Sequence, residues 1–301
     1  GSAEFHGDTM PSADYREIRQ WLVEQIRGGQ PADALLRSMR DRGWNREVAY
    51  GLIAQAMAMR SGAEAPAPAP APAPAAQATP ASARAMPAPV VEEGALHVDL
   101  GDRRVSVLAA MEAPRIVLFD GFLSEAECDA LVDMALPRMQ RSLTVDIETG
   151  DSRTDVVRTS RGMFFRRGEN ALVRTIEARV SRLLAWPVDR GEHLQVLHYR
   201  PGDRYEPHYD YFDPAGPGAQ AVLARGGQRI ATFLMYLREP ERGGDTTFPD
   251  LGLRFAAKRG TALFFAYDRP DPSSRTLHGG APVVAGEKWV ATKWLREGHF
   301  E

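Results

Sequence analysis

Two histidines and one aspartate have the residue types and the spacing of a metal site. His208 and Asp210 are separated by one residue, and His278 follows much later in the chain. Side chains two positions apart on an extended strand point to the same side, so His208 and Asp210 can offer ligands to one ion. A third ligand from a distant strand can complete one face of that ion. Two imidazoles and one carboxylate leave three coordination positions open, which is the arrangement of non-haem Fe(II) oxygenases.

A histidine-x-aspartate pair alone is also what a surface histidine beside a strand-end aspartate looks like. The surroundings of His278 favour the metal site, because Gly279 and Gly280 follow it and allow the backbone to approach closely. Lys288 follows ten residues after His278 in a β-rich run. A lysine inside a barrel is costly unless an anion pairs with it. A co-substrate that carries a carboxylate, such as 2-oxoglutarate, would supply that anion.

Alternation along β-rich runs assigns their side chains to two faces. Lys288 and Trp294 share one face of their run, and Lys293 lies on the other. Lys293 is therefore predicted to be a solvated surface lysine. His198 lies on the opposite face from Tyr199, so it is predicted to pack or to lie at the surface, not to bind a metal.

Length and composition limit the class of protein. The chain has 301 residues, of which 44% are hydrophobic, and a formal net charge of −3. This composition allows a sizeable core and argues against general binding to nucleic acid or to anionic membranes. Cys128 is the single cysteine, which excludes internal disulfides and favours a reducing, cytoplasmic location. No apolar run approaches the roughly 18 residues of a membrane span.

The elements that must position these residues occupy the last of several regions. Residues 1–11 are predicted to be a tag or disordered, with Met10 as the candidate native start. Residues 12–60 show helical spacing and predict a small module of three helices that docks a protein partner. Four arginines also suggest a nucleic-acid-binding unit, but interspersed acidic residues dilute their charge. Five consecutive Ala-Pro pairs predict that residues 61–90 are an extended linker.

Residues 91–301 hold the candidate chemistry. A first helix is predicted to begin at Ser124, where Glu127 completes a capping box, and a second helix covers about residues 169–184. The predicted strands cover residues 116–119, 194–199, 230–237, 261–266 and 289–295. Helices that precede many strands predict an α+β fold in which the strands form a barrel or sandwich. Two stretches rich in polar, glycine or proline residues, 143–157 and 212–227, are predicted to be lids over the site.

Several ordered motifs in this region resemble a known family. Residues 194–212, LQVLHYRPGDRYEPHYDYF, resemble the core of the prolyl 4-hydroxylase family of Fe(II)/2-oxoglutarate-dependent dioxygenases. Residues 228–237 (QRIATFLMYL), 243–249 (GGDTTFP), 277–280 (LHGG), 288–295 (KWVATKWL) and 158–163 (RTSRGM) add to the resemblance. It covers about residues 116–295. It implies a catalytic core folded as a double-stranded β-helix (jelly roll) with flanking helices, beside the small all-α N-terminal module.

The resemblance also implies an activity and roles for individual residues. The activity is 4-hydroxylation of prolyl residues in a peptide or protein, as in a procollagen-proline 4-dioxygenase, with decarboxylation of 2-oxoglutarate to succinate. Fe(II), 2-oxoglutarate and O₂ are the implied cofactors and co-substrates, with ascorbate as a further one. The triad would bind iron, Lys288 would pair with the 5-carboxylate of 2-oxoglutarate, and Tyr199 and Thr246 would place hydroxyls near it. The residues implied to line the peptide site are Arg158, Ser160, Glu192, Tyr205, Arg229 and Trp294.

These implied roles leave alternatives open. Tyr199 and Trp294 could be core aromatics, and Arg229 could be a rim charge. Arg296 stands where plant-type members carry a histidine, so the substrate class remains open. The rival functions are hydroxylation of another residue or of a free amino acid, and a non-catalytic scaffold that uses the helical module. The Ala-Pro linker itself resembles a substrate of such an enzyme, so self-hydroxylation is a further hypothesis.

Overall fold

The computed structural model describes residues 14–42, 49, 52–53, 56, 85–141, 143–145, 152–154, 159–216 and 218–301. The chain divides into two compact units, residues 1–85 and residues 86–301. The boundaries predicted for the tag, the helical module and the linker remain predictions. In the described part of the chain, no helix has both the length and the apolar character needed to cross a membrane.

The first unit contains helices α1 (Asp14–Arg27) and α2 (Ala32–Asp41). Leu22 and Ile26 of α1 are buried in one apolar cluster with Leu35 and Met39 of α2. Each pair is four residues apart, so each helix buries one face. Positions 49, 52, 53 and 56 are helical and buried in the same cluster. The rest of the third helix, and the predicted cap at Ser12, lie outside the described residues.

The second unit is built mainly of antiparallel strands. Its helices are α3 (Glu125–Ala135), α4 (Ala171–Leu184) and α5 (Ala219–Leu223). Its strands are β1 (His97–Asp99), β2 (Arg104–Glu112), β3 (Arg115–Asp120), β4 (Gln140–Arg141), β5 (Leu143–Val145), β6 (Ser152–Thr154), β7 (Arg161–Phe165), β8 (Leu194–Tyr199), β9 (Tyr205–His208), β10 (Arg229–Arg238), β11 (Arg242–Gly243), β12 (Thr246–Phe248), β13 (Leu253–Phe255), β14 (Ala262–Ala266), β15 (His278–Gly280), β16 (Val283–Ala285) and β17 (Lys288–Arg296). The five runs predicted as strands and the two predicted helices are confirmed, with bounds that differ by one or two residues.

Two sheets form the framework of this unit. The larger has nine strands in the order β1-β2-β3-β14-β10-β17-β8-β7-β4, and the smaller has the order β13-β12-β15-β9. Phe248 of the smaller sheet is buried with Tyr236 and Phe265 of the larger one, so the two sheets pack face to face. The outer face of the larger sheet packs on α3 and α4. This sheet-rich core with few helices is consistent with a jelly roll.

Alternation along the central strands separates the two faces of the larger sheet. On β10, Phe233 and Met235 belong to the helix-side core, whereas Tyr236 belongs to the core between the sheets. Lys293 of β17 faces the helix side, where its Nζ lies 2.6 Å from Glu177 Oε1 of α4. The prediction that Lys293 is a solvated surface lysine is wrong. Alternation gives the correct face, but it does not show that a helix covers that face.

Capping fixes the start of the two helices on this face. Ser124 accepts a hydrogen bond from the backbone of Glu127, and the Glu127 carboxylate accepts one from the backbone of Ser124. The predicted capping box is therefore confirmed. Asn170 caps α4 by accepting from the backbone N–H of Val173, so this helix begins slightly later than predicted.

Candidate metal centre and co-substrate site

The pairing of β9 with β15 brings the two predicted histidine ligands together. His208 ends β9, His278 begins β15, and the antiparallel register places them opposite each other. Asp210 lies two residues past the end of β9. Its Oδ1 is 3.5 Å from His208 Nε2, and its Oδ2 is 3.4 Å from His278 Nε2. The three candidate ligand atoms all lie within 4.8 Å of one another. Because β9 stops at His208, strand alternation is not what positions Asp210.

Backbone carbonyls orient both imidazoles. His208 Nδ1 lies 2.8 Å from the Glu206 carbonyl, and His278 Nδ1 lies 3.0 Å from the Thr276 carbonyl. A carbonyl can only accept, so each Nδ1 carries a hydrogen, and each Nε2 faces Asp210 and can offer a lone pair to a metal ion. Burial lowers the pKa of His208, and the charge of His278 lowers it further, which favours the neutral imidazole that binds metals. This arrangement is the usual one for metal-bound histidines.

The carboxylate of Asp210 is held ionised and in a fixed direction. Burial alone would raise the pKa of Asp210, but the charges and hydrogen bonds of His278 and His208 outweigh burial and hold it well below its usual range. Thr232 Oγ1 donates to Asp210 Oδ2 over 2.6 Å, and the Tyr267 hydroxyl lies 3.1 Å from Thr232 Oγ1. Sequence reasoning missed Thr232 and Tyr267. The position of Thr232 two residues before Leu234, on the site face of β10, is the local signal that could have identified it.

Lys288 is a buried cation without a carboxylate partner among the described residues. It begins β17, is 4% exposed and donates from Nζ to the Gly244 carbonyl over 2.6 Å. The ring centroids of Tyr199 and Tyr236 lie 5.3 and 5.8 Å from Nζ. Over the described residues, no carboxylate lies within ion-pair distance of this ammonium group. Burial lowers the pKa of Lys288 to about 8, although the negative charge of Asp245 opposes the change. An anionic ligand would supply the missing charge.

The triad and Lys288 line one cavity between the two sheets. The other residues that line it are Leu197, Tyr199, Tyr205, Thr232, Leu234, Thr246, Phe265, Gly279, Gly280, Val290, Thr292 and Trp294. Tyr199 and Thr246 line the cavity together with Lys288, and their role beside the co-substrate stays a prediction. Thr246 accepts a hydrogen bond from the Tyr236 hydroxyl over 2.7 Å, and Tyr236 is a further site residue that sequence reasoning missed.

The residues proposed for a peptide site are only partly brought together. Tyr205 stacks on the ring of His208 with centroids 3.7 Å apart, and Trp294 also lines the cavity. Arg229 is bound to both carboxylate oxygens of Glu192, at 2.6 and 2.8 Å, and its guanidinium lies 4.0 Å from the ring centroid of Trp294. Ser160 is fully buried and is not among the described residues that line the cavity. Arg158 lies outside the described residues.

The buried His198 and the half-buried His193 have other partners. His198 stacks on Trp289 at 4.1 Å and lies 3.1 Å from Glu287, on the face of β8 opposite Tyr199. His193 accepts a hydrogen bond from the backbone of Arg167. Neither histidine contributes to the triad.

The donor set fits the groups that an Fe(II) oxygenase binds. Two imidazoles and an ionised carboxylate converge on one point, and backbone carbonyls and Thr232 hold them in place. The buried ammonium of Lys288 matches a carboxylate of a 2-oxo acid that reaches across the cavity. Hydroxyls of Tyr199 and Thr246 add polar contacts in an otherwise largely apolar pocket, which is the usual composition of small-molecule sites.

Comparisons with known proteins agree with this site. Residues 194–296 match the model of the 2OG-Fe(II) oxygenase superfamily. Over 222 residues the chain is 41% identical to "Probable prolyl 4-hydroxylase 3" of Arabidopsis thaliana, a match that covers 67% of this chain and 75% of the relative. "Prolyl 4-hydroxylase 5" of the same plant is 42% identical over 222 residues, with 67% and 74% covered.

The chain is 32% identical in sequence to a viral collagen prolyl hydroxylase from Paramecium bursaria Chlorella virus-1, whose structure was solved in complex with 2OG. The match covers 60% of this chain and 95% of the viral chain, with a TM-score of 0.47. The sequence relatives identify the family: the chain belongs to the prolyl 4-hydroxylase family of 2OG-Fe(II) oxygenases, and it is a 2-oxoglutarate-dependent dioxygenase that uses Fe(II) and O₂.

Proposed function

We propose that the protein hydroxylates prolyl residues at C4 in a peptide or protein, with conversion of 2-oxoglutarate and O₂ to succinate and CO₂. One observation carries this proposal: the buried triad and the buried Lys288, which lacks a carboxylate partner among the described residues, line the same cavity. The names of the relatives support prolyl residues as the target.

In this proposal the protein binds and orients the reacting groups. Iron and 2-oxoglutarate, when bound, supply the activation of O₂ that hydroxylation needs. The triad holds the metal, and Lys288 pairs with the distant carboxylate of 2-oxoglutarate, which directs the other end of the co-substrate toward the metal. The apolar wall formed by Leu197, Leu234 and Val290 limits the access of water.

The peptide would occupy the side of the cavity beside Tyr205 and Trp294. Both rings are held in place, Tyr205 by stacking on His208 and Trp294 by the guanidinium of Arg229. Flat, fixed aromatic surfaces suit a proline ring and an extended proline-containing chain, which loses little entropy on binding. Glu192 fixes the direction of Arg229 through two hydrogen bonds.

We also propose the finer features that the family does not settle. The antiparallel sheets support a complete double-stranded β-helix, and the apolar cluster of α1 and α2 supports a small helical module in residues 12–60 that docks a protein partner. Ascorbate as a reductant rests on the family resemblance alone. A cytoplasmic location is supported by the single cysteine.

Succinate release across a peptide panel tests the proposal. The panel pairs proline-rich peptides with matched peptides in which alanine replaces proline, and it includes free proline and peptides with other target residues. Proline-dependent succinate release and a matching +16 mass on the peptide are expected, and both should disappear in His208→Ala. Turnover only with another residue or with a free amino acid would support the rival hydroxylases, and no turnover would support the scaffold. The intact mass of the enzyme in the same reaction reports hydroxylation of its own Ala-Pro linker.

A further inference from the structure

Arg296 is a fully buried arginine that does not belong to the cavity lining. It ends β17 and is 1% exposed. Its Nη1 donates to Glu192 Oε1 over 3.1 Å, and its Nη2 donates to the carbonyls of Val222 and Arg225 over 2.6 and 3.0 Å. These carbonyls belong to the end of α5 and the turn after it. Arg296 therefore joins a helix end to the carboxylate that orients Arg229.

The two arginines face each other across neighbouring strands. Arg229 of β10 and Arg296 of β17 are cross-strand partners. Like charges in such positions repel each other. Glu192 lies between them and accepts hydrogen bonds from both guanidiniums at its Oε1. Burial lowers the pKa of Arg296 to about 10, although Glu192 opposes the change. Keeping this arginine charged and buried therefore costs folding free energy. Its contacts show which parts of the structure it holds in place.

The chain that Arg296 holds is a closed loop beside the proposed peptide site. We call residues 212–228 the α5 loop. Its ends are joined, because Phe212 N–H donates to Gln228 Oε1 and Gln228 Nε2 donates to the Phe212 carbonyl, both over 2.7 Å. The Phe212 ring lies 4.7 Å from the Arg229 guanidinium and 4.8 Å from that of Arg296. The loop therefore contacts the arginine that packs on Trp294.

We propose that Arg296 is a positioning residue that fixes the α5 loop and, through Glu192, the Arg229–Trp294 pair, and so determines peptide affinity without touching the peptide. This inference rests on the proposed function. It assigns a role to the residue that departs from the histidine of plant-type members. Arg296 itself contacts neither the triad nor Lys288. Arg229 reaches the triad at the backbone carbonyl of Asp210, over 3.4 Å, and not at its carboxylate.

Two variants separate this role from general stability. Arg296→Met keeps the apolar stem and loses the guanidinium, whereas Arg296→Lys keeps the charge and loses the planar fork. The matched control is Arg259→Met, because Arg259 also pairs with a carboxylate, Asp129, at 2.8 Å and donates to a backbone carbonyl, but both of these partners belong to α3 and not to the α5 loop. Hydrogen bonds to charged groups are strong enough for their loss to change affinity about tenfold.

Arg296→Met should raise the KM for a proline peptide about tenfold. The KM for 2-oxoglutarate and the peptide-independent turnover of 2-oxoglutarate should stay within about twofold of their original values. Arg296→Lys should recover part of the loss, and Arg259→Met should match the unmodified enzyme. An equal rise of both KM values would overturn the proposal, because it would indicate a general loss of structure.

Hydrogen–deuterium exchange of the peptide-free protein tests the loop independently of any substrate. Residues 213–227 should exchange faster in Arg296→Met than in the unmodified protein and in Arg259→Met. This measurement holds even if the enzyme does not hydroxylate proline, so failure of the proposed function and failure of this inference are distinguishable. Unchanged exchange in the loop refutes the role of Arg296. If Arg296→Met does not fold, the same exchange comparison with Arg296→Lys decides the question.

Discussion

Replacing Lys288 by methionine should stabilise the ligand-free protein while removing its affinity for 2-oxoglutarate. Burial lowers the pKa of Lys288 from 10.5 to about 8. At about 1.4 kcal/mol per pKa unit, keeping this lysine charged costs roughly 3 kcal/mol of folding free energy. Losing its hydrogen bond to the Gly244 carbonyl costs roughly 1.5 kcal/mol in return. We expect Lys288→Met to raise the free energy of unfolding by about 1–2 kcal/mol at pH 7.

The other two lysines of the chain are built-in controls. Lys293 forms a buried pair with Glu177 at 2.6 Å, so Lys293→Met would leave a buried carboxylate unpaired and should cost about 3–5 kcal/mol. Lys258 is exposed and has no carboxylate within ion-pair distance among the described residues, so Lys258→Met should change stability by less than about 0.5 kcal/mol. The same lysine-to-methionine substitution should therefore raise the free energy of unfolding at Lys288, lower it at Lys293 and leave it nearly unchanged at Lys258.

Denaturant unfolding of the metal-free protein measures the three effects. The unfolded chain keeps the Lys288 proton up to about pH 10.5 and the folded protein only up to about pH 8. The penalty is thus complete below pH 8 and disappears as the pH rises to about 10.5, and the advantage of Lys288→Met should disappear with it. In the presence of metal, excess 2-oxoglutarate should stabilise the original protein by about 2.7 kcal/mol at a hundred times its Kd, and leave Lys288→Met unchanged. A loss of stability in ligand-free Lys288→Met would refute the reasoning.

Three further outcomes follow from the site. His208→Ala should lose bound metal, which metal analysis after equilibrium dialysis against Fe(II) or Mn(II) measures, and retention of one equivalent would contradict the triad. Thr232→Val should weaken metal affinity about 10- to 100-fold, because it frees the Asp210 carboxylate to rotate, whereas Thr175→Val, at a half-buried position on α4 where the hydroxyl donates to the Ala171 carbonyl, should not. The Kd for 2-oxoglutarate, measured by calorimetry, should rise as the pH passes above about 8, where Lys288 loses its proton, and a flat profile up to pH 9.5 would exclude this lysine as the anchor.

The ligands and the strands around them could be predicted because their signals are local. His208 and Asp210 are two residues apart, and glycines mark His278. Lys288 stands out as a charge within a β-rich run. The capping box of Ser124 is equally local, since all of its hydrogen bonds join residues three positions apart. In these cases the chemistry of a few neighbouring residues is enough to predict the local structure and the candidate ligands.

The rest of the site depends on contacts between distant segments. Thr232 and Tyr267 form a hydrogen-bond chain to Asp210 only because β10 and the chain after β14 lie together beside it. The pair of Lys293 with Glu177 requires α4 to cover the sheet, and no periodicity shows which face is covered. Arg296 likewise meets Glu192 and α5 through loops of a length and path that local patterns do not determine.

The buried cations of β17 show how a residue that binds a ligand can be told from one that only stabilises the fold. Three of its cations are buried: Lys293 has the carboxylate of Glu177, Arg296 has that of Glu192, and Lys288 has only a backbone carbonyl. A buried ion pair satisfies itself and needs no ligand, whereas a buried cation without a carboxylate has a free-energy cost that an anionic ligand can remove. Among these three, only Lys288 lines the cavity that holds the triad. The folded protein thus holds Lys288 in a destabilised state, and 2-oxoglutarate bound as we propose would relieve it, which would link the low pKa of Lys288 to co-substrate affinity.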